Sequence, residues 1–321
     1  MLVLPTTKHI GYRDDFRKFF KFKRFEKDCG DFVLVEGFFE QAHQWEQFNL
    51  SSKKLKKILA KRLVRIEIEE PNKFALNDNN DSYDYYFEKI YTICPFTADW
   101  LNKKHKNKKR VPIYYPTNEE YIPRKTKKLF DIIYVGNIVS NKVLKDVEVI
   151  SKYNYRFVSF YENPLVTNKN ASYKQKLKLI SQSRITLVHN LLFPPPYRII
   201  NIWRTKGWQE NKAFKLVPPP TQFWRIFTNK NILIPQIKSR LFDAALCRSL
   251  ILCKKDPFNI IENFFEPNEE FVYYEEGKLK ETIDKILENY KKYGKVADNA
   301  FKRASKNYTT KAFVRDYLSK L

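Results

Sequence analysis

Short apolar runs alternate with longer stretches in which apolar residues recur every three or four positions. The first pattern reads as buried strand, the second as a helix with one buried face. Strands are predicted at 2–4, 32–35, 63–68, 90–94 and 113–115. Helices are predicted over 13–29, with Phe16, Phe19 and Phe20 near one face, and from Ser51 or Ser52 through Leu59. Another lies between the strands at 90–94 and 113–115, ahead of the basic run 103–110. Residues 77–84 read as turn, and 119–128, with Pro123 and several charges, as a linker. A second series follows: strand 131–135, helix 143–150, strand 155–160, helix 173–181 and strand 185–188. After Pro235 comes a helix with Ile237, Leu241, Ala244 and Ala245 on one face, then strand 250–253 and helices at 279–290, 295–305 and 309–318. Residues 191–235 break the rhythm with two triple-proline runs and Trp203, Trp208 and Trp224. Strands and helices in alternation predict α/β layers, here in two halves joined near residue 125.

Composition narrows the function. The chain has 321 residues with 26 Phe and 20 Tyr, enough to build sizeable cores. Its +24 charge is uneven: +7 in residues 1–125, +15 in 126–250 and +2 in 251–321. The middle segment must face an anion or repel itself. Lys outnumbers Arg 44 to 16 and Asn and Ile are abundant, so part of the charge follows from a compositional bias. Seven glycines build neither GxGxxG nor GxxxxGK[ST]. The four cysteines form no CxxC and the four histidines no HExxH, so no zinc pattern is present. Free thiols, no apolar run near the ~20 residues of a membrane span and no signal-peptide core lead us to expect a cytoplasmic protein. A basic, aromatic-rich chain also suits single-stranded nucleic acid, but Arg is scarce beside Lys and no nucleic-acid-binding signature is present, so no such partner is expected.

Four segments carry a resemblance. Residues 237–251 (IKSRLFDAALCRSLI) resemble the helix-then-strand K/R-x-F/L-E-A-x-A-x-G segment of GT-B glycosyltransferases. Residues 264–274 (FFEPNEEFVYY) are similar to that family's F-x-x-x-x-E-x-V-x-Y segment, and 309–317 (TTKAFVRDY) to its closing helix. Residues 113–116 followed by 130–137 (FDIIYVGN) look like its interdomain join and the first strand of its second domain. The nearest branch is the group-1 type found in spore-maturation and surface-polysaccharide proteins. The sequence departs from the pattern in three places: Asp243 replaces Glu, Arg248 or Ser249 stands where Gly is usual, and Pro235 occupies the first position of an E-x7-E pair.

The resemblance implies two Rossmann-like domains facing across a cleft, 1–125 on the acceptor side and 126–305 on the donor side, with 191–235 inserted. A last helix within 306–321 would cross back to the first domain. It implies transfer from a nucleotide-diphosphate sugar to a saccharide or lipid-linked acceptor, with neither metal nor cofactor. Helix N-termini and cations would stabilise the leaving diphosphate. Gly136 and Asn137, at a strand end, and Lys238 and Arg240 would then meet phosphate oxygens, and Asp243 the ribose. For each a plainer reading stays open: a strand-end turn, a solvated helix face, and an Asp243–Arg240 pair. His189 and Asn190 end another strand, as base-binding residues or as buried, satisfied groups. His9 and Glu36 follow the first two strands and are candidate acceptor bases, with Glu69 and Glu70 behind them. The basic, Phe-bearing stretch 13–29 reads either as a core helix or as a peripheral contact with an anionic membrane, and the run 103–110 as a solvated loop or a headgroup contact. The departures also admit a catalytically inactive scaffold of the same fold.

Overall fold

A computed structural model describes residues 2–4, 32–37, 62–67, 87–104, 106, 108–138, 140–192 and 234–320. The helices expected at 13–29 and 51–59, the 77–84 turn, His9, Glu69, Glu70 and residues 193–233 lie outside the described residues. The chain divides into two compact units. Unit 1 takes in Met1–Tyr114, Leu192–Gln236 and Tyr317–Leu321; unit 2 takes in Tyr115–Leu191 and Ile237–Asp316. The division thus falls ahead of the expected join near 125, and the insertion groups with unit 1.

Unit 1 carries a parallel sheet whose order follows the chain: β1 (Leu2–Leu4), β2 (Phe32–Gly37), β3 (Arg62–Glu67), β4 (Phe87–Thr92) and β5 (Arg110–Pro112). Helix α1 (Pro95–Lys104) connects the last two. Leu63, Val64, Ile66, Ile90 and Tyr91 are buried, as expected for a parallel sheet covered on both faces. The strand expected at 113–115 is instead β5, three residues earlier. Asn102 fixes it there, its side chain bonding both the Arg110 carbonyl (2.8 Å) and the Arg110 N–H (2.9 Å). The end of the basic run is therefore buried structure rather than solvated loop, since Arg110 is 2% exposed.

Unit 2 begins with β6 (Phe130–Val135), α2 (Asn141–Ile150), β7 (Tyr155–Ser159) and β8 (Asn168–Lys169). Then come α3 (Tyr173–Ser181) and β9 (Ser183–Val188). Two-residue strands β10 (Leu191–Leu192) and β11 (Ile234–Pro235) flank residues 193–233. The chain continues through α4 (Ser239–Leu246), β12 (Leu250–Lys254), β13 (Val272–Tyr274), α5 (Leu279–Glu288), α6 (Tyr290–Asn307) and α7 (Thr310–Phe313), which runs into a π-helical turn, Val314–Leu318. Helix starts follow from their caps: the Ser140 hydroxyl accepts from the Val143 N–H, and Ser172 and Gln175 form a reciprocal capping box.

The six strands of unit 2 are all parallel, in the order β8-β7-β6-β9-β12-β13. Counted from β6 this is the doubly wound 3-2-1-4-5-6 arrangement, whose order reverses between β6 and β9. Ligands of such sheets bind beyond the carboxyl ends of the strands at that reversal. Thr117 and Thr309 form a parallel bridge that ties the first residues of unit 2 to its last helix. Glu270, in the segment resembling the family motif, is buried and accepts from Arg303 Nε at 2.7 Å, so this glutamate fastens the β13 approach to α6. Tyr317 returns to unit 1, edge-on to Tyr91 and Tyr114 at 5.7 and 6.3 Å between ring centres.

Candidate functional site at the carboxyl edge of the unit 2 sheet

Gly136 follows β6 with φ +135°, a conformation that L side chains rarely adopt. The Arg240 guanidinium lies against it, so that an added Cβ would collide with that group. Arg240 stands in the first turn of α4 and also lies 5.1 Å from the centre of the Tyr134 ring. Asn137 is fixed twice. Its carbonyl accepts from the Tyr134 hydroxyl (3.0 Å) and its Oδ1 from Ser159 (3.0 Å).

Across the reversal, His189 is 4% exposed and edge-on to Tyr134. Its Nε2 lies 3.4 Å from Asp146 Oδ2 and 3.5 Å from the Tyr274 hydroxyl. That hydroxyl spends its one hydrogen on Asp146 (2.9 Å), so both groups facing Nε2 are acceptors and the Nε2–H tautomer is the one that fits. Nδ1 is then a bare acceptor, and it has no partner among the described residues. Burial, aided by Arg240 and Lys254, pulls the His189 pKa down to about 3, so the ring is neutral. Asn190 repeats the theme: its amide nitrogen reaches Cys253 Sγ at 3.5 Å while its buried Oδ1 has no partner among the described residues. An unpaired buried acceptor costs about 1–3 kcal/mol, so each is a place for a ligand's N–H or O–H. Lys254, at the end of β12, lies 3.9 Å from Asp146, whose carboxyl burial pushes upward.

The structure therefore gathers Gly136, Asn137, His189, Asn190 and Arg240. Asp243 faces elsewhere. It is fully buried, with Tyr173 donating to one oxygen (2.9 Å) and Lys176 to the other (2.8 Å). Its partners come from α3, not from Arg240, and both oxygens already hold a donor. The expected helix start also shifts: Lys238 is the extended residue before α4 rather than part of it. Glu36 lies near the carboxyl end of β2, where its Cα pairs with Ile66, and His9 is not described. Sequence reasoning missed Asp146, Lys254, Tyr134 and Tyr274. Lys254 was findable, because it closes a strand at the same sheet edge; Asp146 carries no local signal. Among the described residues, no three His, Cys, Asp or Glu are grouped to hold a metal ion, and no helix is long and apolar enough to cross a membrane.

Comparison with known proteins bears on this geometry. No curated protein sequence matches the chain. Among solved structures, HepE of Anabaena aligns with TM-score 0.56 at 11% identity, over 91% of this chain and 79% of its own. Sucrose-phosphate synthase of Thermosynechococcus elongatus aligns with TM-score 0.55 at 8% identity, over 90% and 72%. TarM aligns with TM-score 0.51 at 10% identity over 90% of this chain, which spans only 54% of TarM. These likenesses show a shared GT-B fold. The sequence pattern of the glycosyl transferase-like family matches residues 136–319, from the glycine beneath Arg240 to the final helical turn. The chain belongs to that family and is a GT-B glycosyltransferase of the group-1 type.

Proposed function

We propose that the chain moves a sugar from a nucleotide-diphosphate donor, held at the carboxyl edge of the unit 2 sheet, to a saccharide or lipid-linked acceptor in building a surface glycan. The observation that carries this reading is the meeting of Arg240 with Gly136 at the strand-order reversal. A diphosphate leaving group needs close backbone approach and positive charge. Gly136 supplies the first; Arg240, able to bind two oxygens at once, and the start of α4 supply the second. This charge takes the place a metal would fill, and no cofactor enters the reaction. The free acceptors on His189 and Asn190 suit the N–H and O–H groups of a nucleoside. HepE was solved with UDP-glucose and the pneumococcal transferase GtfA with UDP and GlcNAc, which supports a nucleotide sugar as the donor class here. His9 and Glu36 remain the candidate acceptor bases. Catalysis takes place in the cytoplasm, and the basic stretch 13–29 is either a core helix or the peripheral contact with an anionic membrane.

The test is a thermal-shift panel of UDP-, GDP-, ADP-, CMP- and TDP-sugars in EDTA, on the wild type and Arg240→Ala. One base class should stabilise the wild type, by about 2.7 kcal/mol at a hundredfold excess over Kd, and Arg240→Ala much less. No response to any nucleotide sugar would sink the donor site. A second reading, binding without transfer, is favoured by the occupied carboxylate of Asp243. It predicts donor binding with no release of free nucleotide in the presence of glycan or lipid-linked acceptors.

A further inference from the structure

A hollow of about 360 Å³ opens at the opposite edge of the unit 2 sheet, where the strands begin. Lys128, just before β6, forms its floor. The Lys128 ammonium donates to the carbonyls of Ser181 (2.8 Å), Ser183 (2.9 Å) and Arg248 (2.7 Å), gathering the starts of β9 and β12 around it. Arg248 is held in the left-handed region at φ +53°, with its guanidinium 3.3 Å from the centre of the Phe301 ring. Asp298 lies 3.8 Å from Arg248 and 3.6 Å from Lys125, and among the described residues it is the one carboxylate lining the hollow. Against it stand five cations: Lys125, Lys128, Arg248, Lys291 and Lys295. Lys291 and Lys295, one turn apart on α6, have no ion-pair partner among the described residues. Cations confined together without counter-charge repel one another unless an anion joins them.

The helix that forms one wall is built to leave room. Gly294 stands between the two lysines inside the eighteen-residue α6. A glycine there costs the helix about 1 kcal/mol relative to alanine. A Cβ added to it would meet nothing within 4 Å, so no packing requires the glycine, and its absent side chain keeps the hollow open. Tyr290 adds a flat wall, with Arg184 lying 5.4 Å from its ring centre. The hollow is at the small end of the size range for small-molecule sites. It lies the length of a strand, roughly 20 Å, from the donor residues.

We infer that this hollow binds the phosphate group of a small phosphomonoester, carried either by a free metabolite or by an acidic lipid headgroup. The site is distinct from the donor edge and does not depend on the donor reading. The test uses the full chain with glycerol 3-phosphate by titration calorimetry, and flotation with phosphatidylcholine vesicles with and without phosphatidic acid. Two variants accompany the wild type: Gly294→Glu, which places a carboxylate in open space, and the pair Lys291→Ala with Lys295→Ala. Melting curves without ligand check that both remain folded. The expected result is that both variants weaken binding by roughly tenfold or more. Loss in the calorimetric arm identifies a free phosphomonoester, and loss in the vesicle arm alone a lipid headgroup. Stabilisation by nucleotide sugars should be the same in all three proteins. No binding by the wild type in either arm, or binding that either variant leaves intact, overturns the proposal.

Discussion

Gly136 and Arg240 depend on each other at atomic distance. The glycine's positive φ is open to L residues only with strain, and the guanidinium occupies the space a side chain would need. Gly136→Ala should therefore destabilise the fold by about 1–3 kcal/mol and remove the response to donor in the same melting experiment. Asp243→Asn should cost about 3–5 kcal/mol in urea denaturation, because it leaves the Lys176 ammonium facing a neutral amide in a buried place. A denaturation midpoint equal to wild type would return Asp243 to the pool of ligand-binding groups. His189 makes a prediction in pH. Its native pKa of about 3 lies below the ordinary 6.5 of histidine, so below pH 6.5 the unfolded chain binds a proton that the native ring refuses. Its share of the stability is full above pH 6.5 and is lost as pH falls toward 3, by up to about 1.4 kcal/mol per unit. Denaturation of His189→Gln across this range should show a flatter slope than wild type.

At the scale of elements, the turn from α4 into β12 explains one departure from the family pattern. The usual glycine suits a left-handed residue, and Arg248 adopts that conformation at φ +53° without being glycine. The Phe301 stacking offsets the strain. Arg248→Ala keeps the strain and loses the stacking, whereas Arg248→Gly loses both. The alanine variant should be the less stable by about 1–2 kcal/mol in thermal melts. The sequence predicts separate helices at 279–290 and 295–305, whereas α6 runs from Tyr290 straight through Gly294 and the break falls at Asn289. Strands β6, β7, β9 and β12 and helix α3 were legible because a parallel sheet's strands are continuous apolar runs and because Leu177 and Ile180 share a buried face. The two-residue β8 and the displaced β5 carry no periodicity to read. In the site, strand ends pointed to Gly136, Asn137, His189 and Asn190. The Asp146–Tyr274–His189 contact spans residues 146 to 274 and exists only once the sheet is assembled.

For the whole molecule, basic residues of 126–250 stand at both ends of the unit 2 sheet. Arg240 stands at the carboxyl edge, Lys128 and Arg248 at the other. The units also interleave along the chain, since unit 1 takes back Tyr317–Leu321 after unit 2 is complete. There Tyr91 donates its hydroxyl to the Tyr317 carbonyl at 3.3 Å. Tyr317→Ala should lower the melting temperature while leaving donor-induced stabilisation in place, because its partners Tyr91 and Tyr114 belong to unit 1 and the donor residues to unit 2.

That interleaving sets an order of events at the ribosome. The unit 1 sheet is translated before that of unit 2 yet gains its last side-chain contacts after it, because Tyr317 is made only after every strand of unit 2. During synthesis Tyr91 and Tyr114 must wait for some two hundred residues to appear, most of them belonging to unit 2. Pulse-labelled hydrogen exchange during refolding should find β6, β9 and β12 protected before β4, with Tyr317→Ala slowing only the second phase.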